Sequence, residues 1–202
     1  LELETLLQSP SIDYFAAPYD YSHRLMGDDG RGRALAEAFQ PAGKVHMIEA
    51  DTRTHLHTRN EYGRLDNEQQ SIAAIRREFG AALIHGNALW WCDFGTDGSG
   101  GWYDDPALIG EVGRLMALAT QRLQEPTGPA AEVTLLCDLQ SCYALGDGEA
   151  MRTHLRLVDQ ITGELYRTGT PFSTLLLSQA TEERLQDCRV LVVLNALAMD
   201  AA

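Results

Sequence analysis

The sequence predicts an α/β chain built in two blocks, and three observations lead there. Short apolar runs (Ile12–Ala17, Lys44–Ile48, Ala88–Asp93) alternate with longer segments whose apolar residues recur at helical spacing, the signature of strands crossed by helices. Residues 125–130, Glu-Pro-Thr-Gly-Pro-Ala, then break the pattern with two prolines and a glycine. After them the alternation restarts with nearly continuous apolar strands, as in a parallel sheet covered on both faces.

The elements follow in order. Leucines 1, 3, 6 and 7 suit the tail of a helix, and Ile12–Ala17 reads as a strand closed by Pro18. An aromatic, polar loop runs from Tyr19 to Gly32. A helix is expected over Gly32–Gln40, with Leu35 and Phe39 on one face and Pro41 and Gly43 closing it. The Lys44–Ile48 strand gives way to Glu49, Asp51, Thr52, Arg53, Thr54 and His55, opening a long polar loop to Asp66. Asn67–Leu83 is a helix whose Ile72, Ile75, Phe79 and Leu83 stripe one side, stopped near Gly86. Ala88–Asp93 is a strand, followed by the glycine-rich loop 95–101. Asp105-Pro106 opens another helix with cap and first-turn proline in the favoured order. Leu108, Val112, Leu115, Ala119 and Leu123 stripe it.

The second block reads as strand Glu132–Cys137, helix Glu149–Arg167 stopped by Gly169, strand Phe172–Leu177, a short capped helix Thr181–Gln186 and strand Arg189–Leu194. The expected division is 1–124, linker 125–130, and 131–202. The chain starts Leu-Glu-Leu-Glu without a methionine and stops just after a strand, so a fragment of a larger protein is expected.

Composition narrows the function classes. The 202 residues are 45% hydrophobic, enough for a sizeable core. A formal charge of -13 without any Lys/Arg run disfavours nucleic acid as a partner. No apolar run reaches membrane-helix length, and no signal peptide is visible, so a cytoplasmic protein without membrane contact is expected. Cys92, Cys137, Cys142 and Cys188 include no C-x-x-C pair and read as buried hydrophobes in a reducing compartment.

The chemistry concentrates at the carboxyl ends of the first-block strands, where α/β proteins place their sites. Glu49 is the candidate catalytic carboxylate; period-two alternation would put Val45 and Met47 on its face and turn His46 and Ile48 toward the helices. Arg53 is placed to hold Glu49 as an anion, or to pair with Asp51. Tyr19, Tyr21 and Arg24 follow the first strand as candidate pocket residues. Trp90 and Trp91 face opposite ways. If Asp93 points inward Trp91 does too, so Trp91 is the expected aromatic wall of the pocket and Asp93 either a hydrogen-bond acceptor in it or a cap of the next loop. His55-x-His57 lacks a third ligand nearby, and no metal is expected. The 95–101 loop has no G-K-[ST], so no phosphate site is expected there.

Pro18-Tyr19-Asp20-Tyr21 with Arg24, Gly43-Lys44 leading to Glu49-Ala50-Asp51-Thr52-Arg53-Thr54-His55, and Trp90-Trp91-Cys92-Asp93-Phe94 with Gly101-Trp102-Tyr103-Asp104-Asp105-Pro106 together resemble glycoside hydrolase family 42. The resemblance implies that residues about 9–124 are the last three βα units of a (β/α)8 TIM barrel. Residues 131–202 would begin a flavodoxin-like middle domain associated with trimer formation. It further implies a retaining β-galactosidase-like hydrolase of β-linked terminal sugars, with Glu49 as nucleophile and no cofactor. The acid/base glutamate would lie upstream, so this chain alone is expected to be inactive. The competing expectations are a non-catalytic carbohydrate-binding or assembly module and, on fold analogy alone, a flavodoxin-like nucleotide binder.

Overall fold

A computed structural model describes residues 3–95, 101–125, 131–145 and 148–197. The centre of the glycine-rich loop, 96–100, and most of the expected linker, 126–130, lie outside the described residues, as do 198–202. The chain is mixed α/β, with two parallel three-stranded sheets. It divides into two compact units: Leu1–Ala34 with Gly43–Thr127, and Leu35–Ala42 with Gly128–Ala202.

In the first unit a short helix α1 (Leu3–Leu7) precedes β1 (Tyr14–Pro18), β2 (Val45–Ala50), α2 (Glu68–Ile84), β3 (Ala88–Trp91) and α3 (Pro106–Arg122). The sheet order is β1-β2-β3, with Pro18, Glu49 and Trp90 in one register row. Local chemistry sets the helix ends. Asn67 accepts from Gln70 N at 3.0 Å at the start of α2. Gly86 follows its last turn at φ 65, the left-handed conformation that glycine adopts without a Cβ penalty. Asp105 Oδ1 accepts from Ala107 N and Leu108 N at the start of α3, with Pro106 in the first turn. The core between these helices joins Ile75, Phe79, Trp102, Tyr103, Leu108 and Leu115. Each large apolar side chain so buried contributes roughly 1.5–3 kcal/mol before entropy is counted.

The second unit runs β4 (Val133–Cys137), α4 (Leu139–Leu145), α5 (Glu149–Leu155), a π-helical stretch (Arg156–Gln160), α6 (Ile161–Thr168), β5 (Phe172–Leu176), α7 (Glu182–Leu185) and β6 (Val190–Val193). Its sheet order is β5-β4-β6. Leu135, Phe172 and Leu194 form its core with Val158, Ile161 and Leu165 packed against them. Gly169 at φ 71 ends α6, as its position in the sequence predicts.

Three expectations change. The Gly32–Gln40 helix is instead a 3-10 stretch, Ala36–Ala42, with Pro41 inside it, while Gly32 bridges to Tyr19. That stretch belongs to the second unit, where Glu37 Oε2 accepts from Thr174 N at 3.0 Å and Gln179 Nε2 donates to Ala38 O at 2.7 Å. The Glu149–Arg167 helix is interrupted by its π-helical turn, and the unforeseen α4 puts Cys142 on a helix. Among the described residues, no helix is long and apolar enough to cross a membrane.

Candidate functional site

β2 sorts its side chains by alternation. His46, Ile48 and Ala50 are buried, whereas Val45 is exposed and Met47 and Glu49 are half-buried. Ile48 packs with Tyr19, Ala82 and Leu89, so the buried face is the one α2 covers. Glu49 therefore occupies the other face, at the carboxyl end of the central strand. Its charge helps push up the thiol of Cys92, after the larger effect of burial.

The register corrects the tryptophan assignment. Trp90 is level with Glu49, and side chains level across a parallel pair share a face. Trp91 is level with Ala50 and turns the other way, stacked on Phe79 at 6.4 Å between ring centroids. Trp90, not Trp91, flanks the carboxylate. Asp93 caps the following loop, its Oδ1 accepting from Gly95 N at 3.0 Å and Trp102 N at 2.7 Å.

Asp51 does not pair with Arg53, the partner expected for it from the sequence. It is 4% exposed, and its Oδ1 accepts from Arg24 Nη2 at 2.9 Å while its Oδ2 accepts from the Tyr21 hydroxyl at 2.9 Å. Arg53 instead donates to Tyr62 O and lies 3.6 Å from Glu61 Oε2. The pairing skips local neighbours because residues 19–24 continue past β1 alongside the end of β2. Tyr21 remains half-buried, with the Arg24 guanidinium 4.0 Å and the Arg33 guanidinium 4.3 Å from its ring centroid. Tyr19 is 1% exposed and belongs to the core rather than to a pocket.

Behind Asp51 lies a group absent from the sequence-based site. Glu78 of α2 is 1% exposed, and the Thr52 hydroxyl donates to it. Burial raises its carboxyl to about 7, with Asp51 adding to the rise and Thr52, Arg77 and Arg24 opposing it. Glu78 Oε1 and Arg24 Nε and Nη1 are buried without a hydrogen-bond partner among the described residues; Arg77 Nη2 stands 3.5 Å from that oxygen. A sequence signal for Glu78 exists: it falls on the Ser71, Ile75, Ala82 stripe of α2, where only a partnered charge is tolerated. Gly63, at φ 81, closes over Arg24, since a Cβ there would lie 2.1 Å from Arg24 Cδ.

The two histidines of the loop diverge. His55 Nδ1 lies 3.0 Å from Ser71 Oγ, and the His57 ring centroid lies 4.7 Å from that of Trp102. The geometry thus combines a carboxylate on the sheet face opposite α2, an indole beside it, and a phenol held by a buried aspartate–arginine pair. Comparison of the chain with protein-family models, with curated proteins and with solved structures finds no match.

Proposed function

We propose that the first unit is part of the catalytic (β/α)8 barrel of a retaining glycoside hydrolase, β-galactosidase-like, with Glu49 as its nucleophile. The observation that carries this reading is the position of Glu49: it ends the central strand of a parallel sheet, on the face opposite the helices, level with Trp90. In a (β/α)8 barrel that face is the inside and the carboxyl ends form the active face. An indole beside the carboxylate suits the apolar C–H face of a pyranose.

The partial-barrel reading also draws on β3. Cys92 N donates to Ala50 O, so by alternation Leu89 and Trp91 direct their backbone groups to the opposite edge of the sheet. A groove of about 840 Å³ runs along β3, lined by Leu83, Trp90, Trp91, Val112 and Leu123 among others. Both features suit the next strand and helix of a closed barrel.

In the retaining mechanism one carboxylate attacks the anomeric carbon while a second carboxyl, roughly 5–5.5 Å away, protonates the leaving oxygen. Water then releases the sugar. In this reading Tyr21 orients the substrate, Asp51 and Arg24 position Tyr21, and the second carboxyl belongs to another strand of the barrel. The second unit is a structural, flavodoxin-like part of a homo-oligomer, a trimer by the resemblance, and no cofactor takes part.

The test is covalent trapping. The complete polypeptide carrying these residues, treated with an activated 2-deoxy-2-fluoro-β-galactoside, is expected to retain the sugar on Glu49, read by peptide mass. A Glu49→Gln variant should lose about 10⁴-fold or more in turnover while still binding sugar. Labelling at a different carboxylate overturns the assignment, and sugar binding with unchanged behaviour in Glu49→Gln supports the non-catalytic carbohydrate-binding module instead.

A further inference from the structure

The carboxyl end of the second sheet carries a cluster independent of the glycosidase reading. In the order β5-β4-β6 the chain passes from β4 to β5 on one side and then crosses over to β6 on the other side of β4. The crevice at such a reversal is where open α/β sheets receive ligands. Asp138 follows β4 there, and Asn195 follows β6.

Asn195 is 1% exposed, and its amide is oriented without ambiguity. Its Oδ1 accepts from Asp138 N at 2.7 Å, and its Nδ2 donates to Asp138 O at 2.8 Å. The second Nδ2 hydrogen faces His154 Nδ1 at 3.0 Å. His154 Nδ1 must then accept, which leaves the ring proton on Nε2. Nε2 lies 3.2 Å from Cys142 Sγ, so the imidazole donates to the sulfur. His154 is 7% exposed and Asn195 1%, whereas Cys142 is half-buried, so within the trio Cys142 is the residue that reaches solvent.

We propose that Cys142, His154 and Asn195 form a thiol-modification site for low-molecular-weight disulfides, with His154 a fixed hydrogen-bond donor to the sulfur rather than a base. Cysteine, histidine and asparagine also compose nucleophile–base triads, but there the imidazole must accept the thiol proton. Here Asn195 presents a donor to Nδ1, so an imidazolium would set two donors face to face. Burial lowers His154 and, with Asp138, raises the Cys142 thiol, in keeping with a neutral pair near pH 7. Cys137, also in this crevice, is 3% exposed and is pushed up to about 12 by burial, with Cys142 and Asp138 adding to the rise.

The step balances without another reactant. Cys142 gives its proton to water, and the thiolate attacks one sulfur of the disulfide. The new S–S bond forms as the old one breaks, and the departing thiolate takes a proton from solvent. The Nε2–H bond stabilises the attacking thiolate.

The test uses the full chain and dithiodipyridine, with each cysteine followed by peptide mass. Modification of Cys142 is expected to accelerate about tenfold per pH unit between pH 6 and 8, tracking the thiolate fraction. His154→Ala is expected to slow Cys142 about tenfold at pH 8, leaving Cys92 and Cys188 unchanged. In the unmodified protein, ¹⁵N spectra should show the Nε2–H tautomer of His154. An unreactive Cys142, a rate flat from pH 5 to 8, no change in His154→Ala, or the Nδ1–H tautomer each overturns the proposal.

Discussion

The carboxyl ends of the two sheets solve the same problem in opposite ways. In the second unit the buried polar groups are matched to neighbours. The Asp138 carboxylate accepts from Gln140 N and Ser141 N, Ser141 Oγ accepts from Leu197 N, and Asn195 pairs with both backbone groups of Asp138. In the first unit Arg24, Asp51 and Glu78 bring three ionisable groups into the interior, and two of them keep atoms without hydrogen-bond partners among the described residues. A satisfied network fixes one arrangement of strand ends. A partly satisfied one costs stability and is tolerated where side chains must be held for chemistry. The contrast fits the two proposals, catalysis at the first end and thiol modification at the second.

The largest expected effect comes from breaking the first cluster. Arg24→Ala leaves the Asp51 carboxylate buried with the Tyr21 hydroxyl as its remaining side-chain donor, at an expected cost of about 3–5 kcal/mol. Urea unfolding measures it, and Arg24→Met combined with Asp51→Leu should recover most of the loss. A cost below about 1 kcal/mol for Arg24→Ala would mean the pair is not buried as described.

Glu78 sharpens the contrast through pH. Its folded value of about 7 lies above the ordinary carboxyl value of 4.5. The folded chain therefore holds the proton more tightly than the unfolded one. The stabilisation is complete below about pH 4.5, falls as pH rises to about 7, and then levels off. The span is on the order of 3 kcal/mol. Glu78→Gln should flatten that segment of the stability–pH curve; an unchanged slope would assign it to other groups.

The smallest effect belongs to the satisfied end. Ser141→Ala removes the acceptor of Leu197 N and a donor to the Asp138 carboxylate, at an expected cost of about 2 kcal/mol. It should show no pH dependence between 5 and 8, in contrast to Glu78. A loss as large as that of Arg24→Ala would erase the distinction between the two ends.

Much of the element order was legible because its signals are local. Asn67, Asp105-Pro106, Gly86, Gly169 and Thr181 mark helix ends through contacts spanning a few residues. The helix expected over Gly32–Gln40 failed because Leu35 and Phe39 alone cannot distinguish a helix from a 3-10 stretch that packs beside β5. In the candidate site, Glu49 at a strand end was readable from the run that follows it. Trp90 against Trp91 was not, because face assignment depends on register with β2 rather than on the strand itself.

By itself the sequence determined an alternating α/β chain, its helix caps, and a charged cluster after β2, since each rests on periodicity or on neighbours within a turn. Only the tertiary structure decided which charge meets which. Asp51 bypasses Arg53, two residues away, for Arg24, 27 residues away, and Glu78 reaches Thr52 across 26. His154 likewise meets Cys142 and Asn195 from separate elements. Burial enforces such pairings: a desolvated charge or amide takes the partner that the packed sheet brings within about 3 Å, whatever lies beside it along the chain.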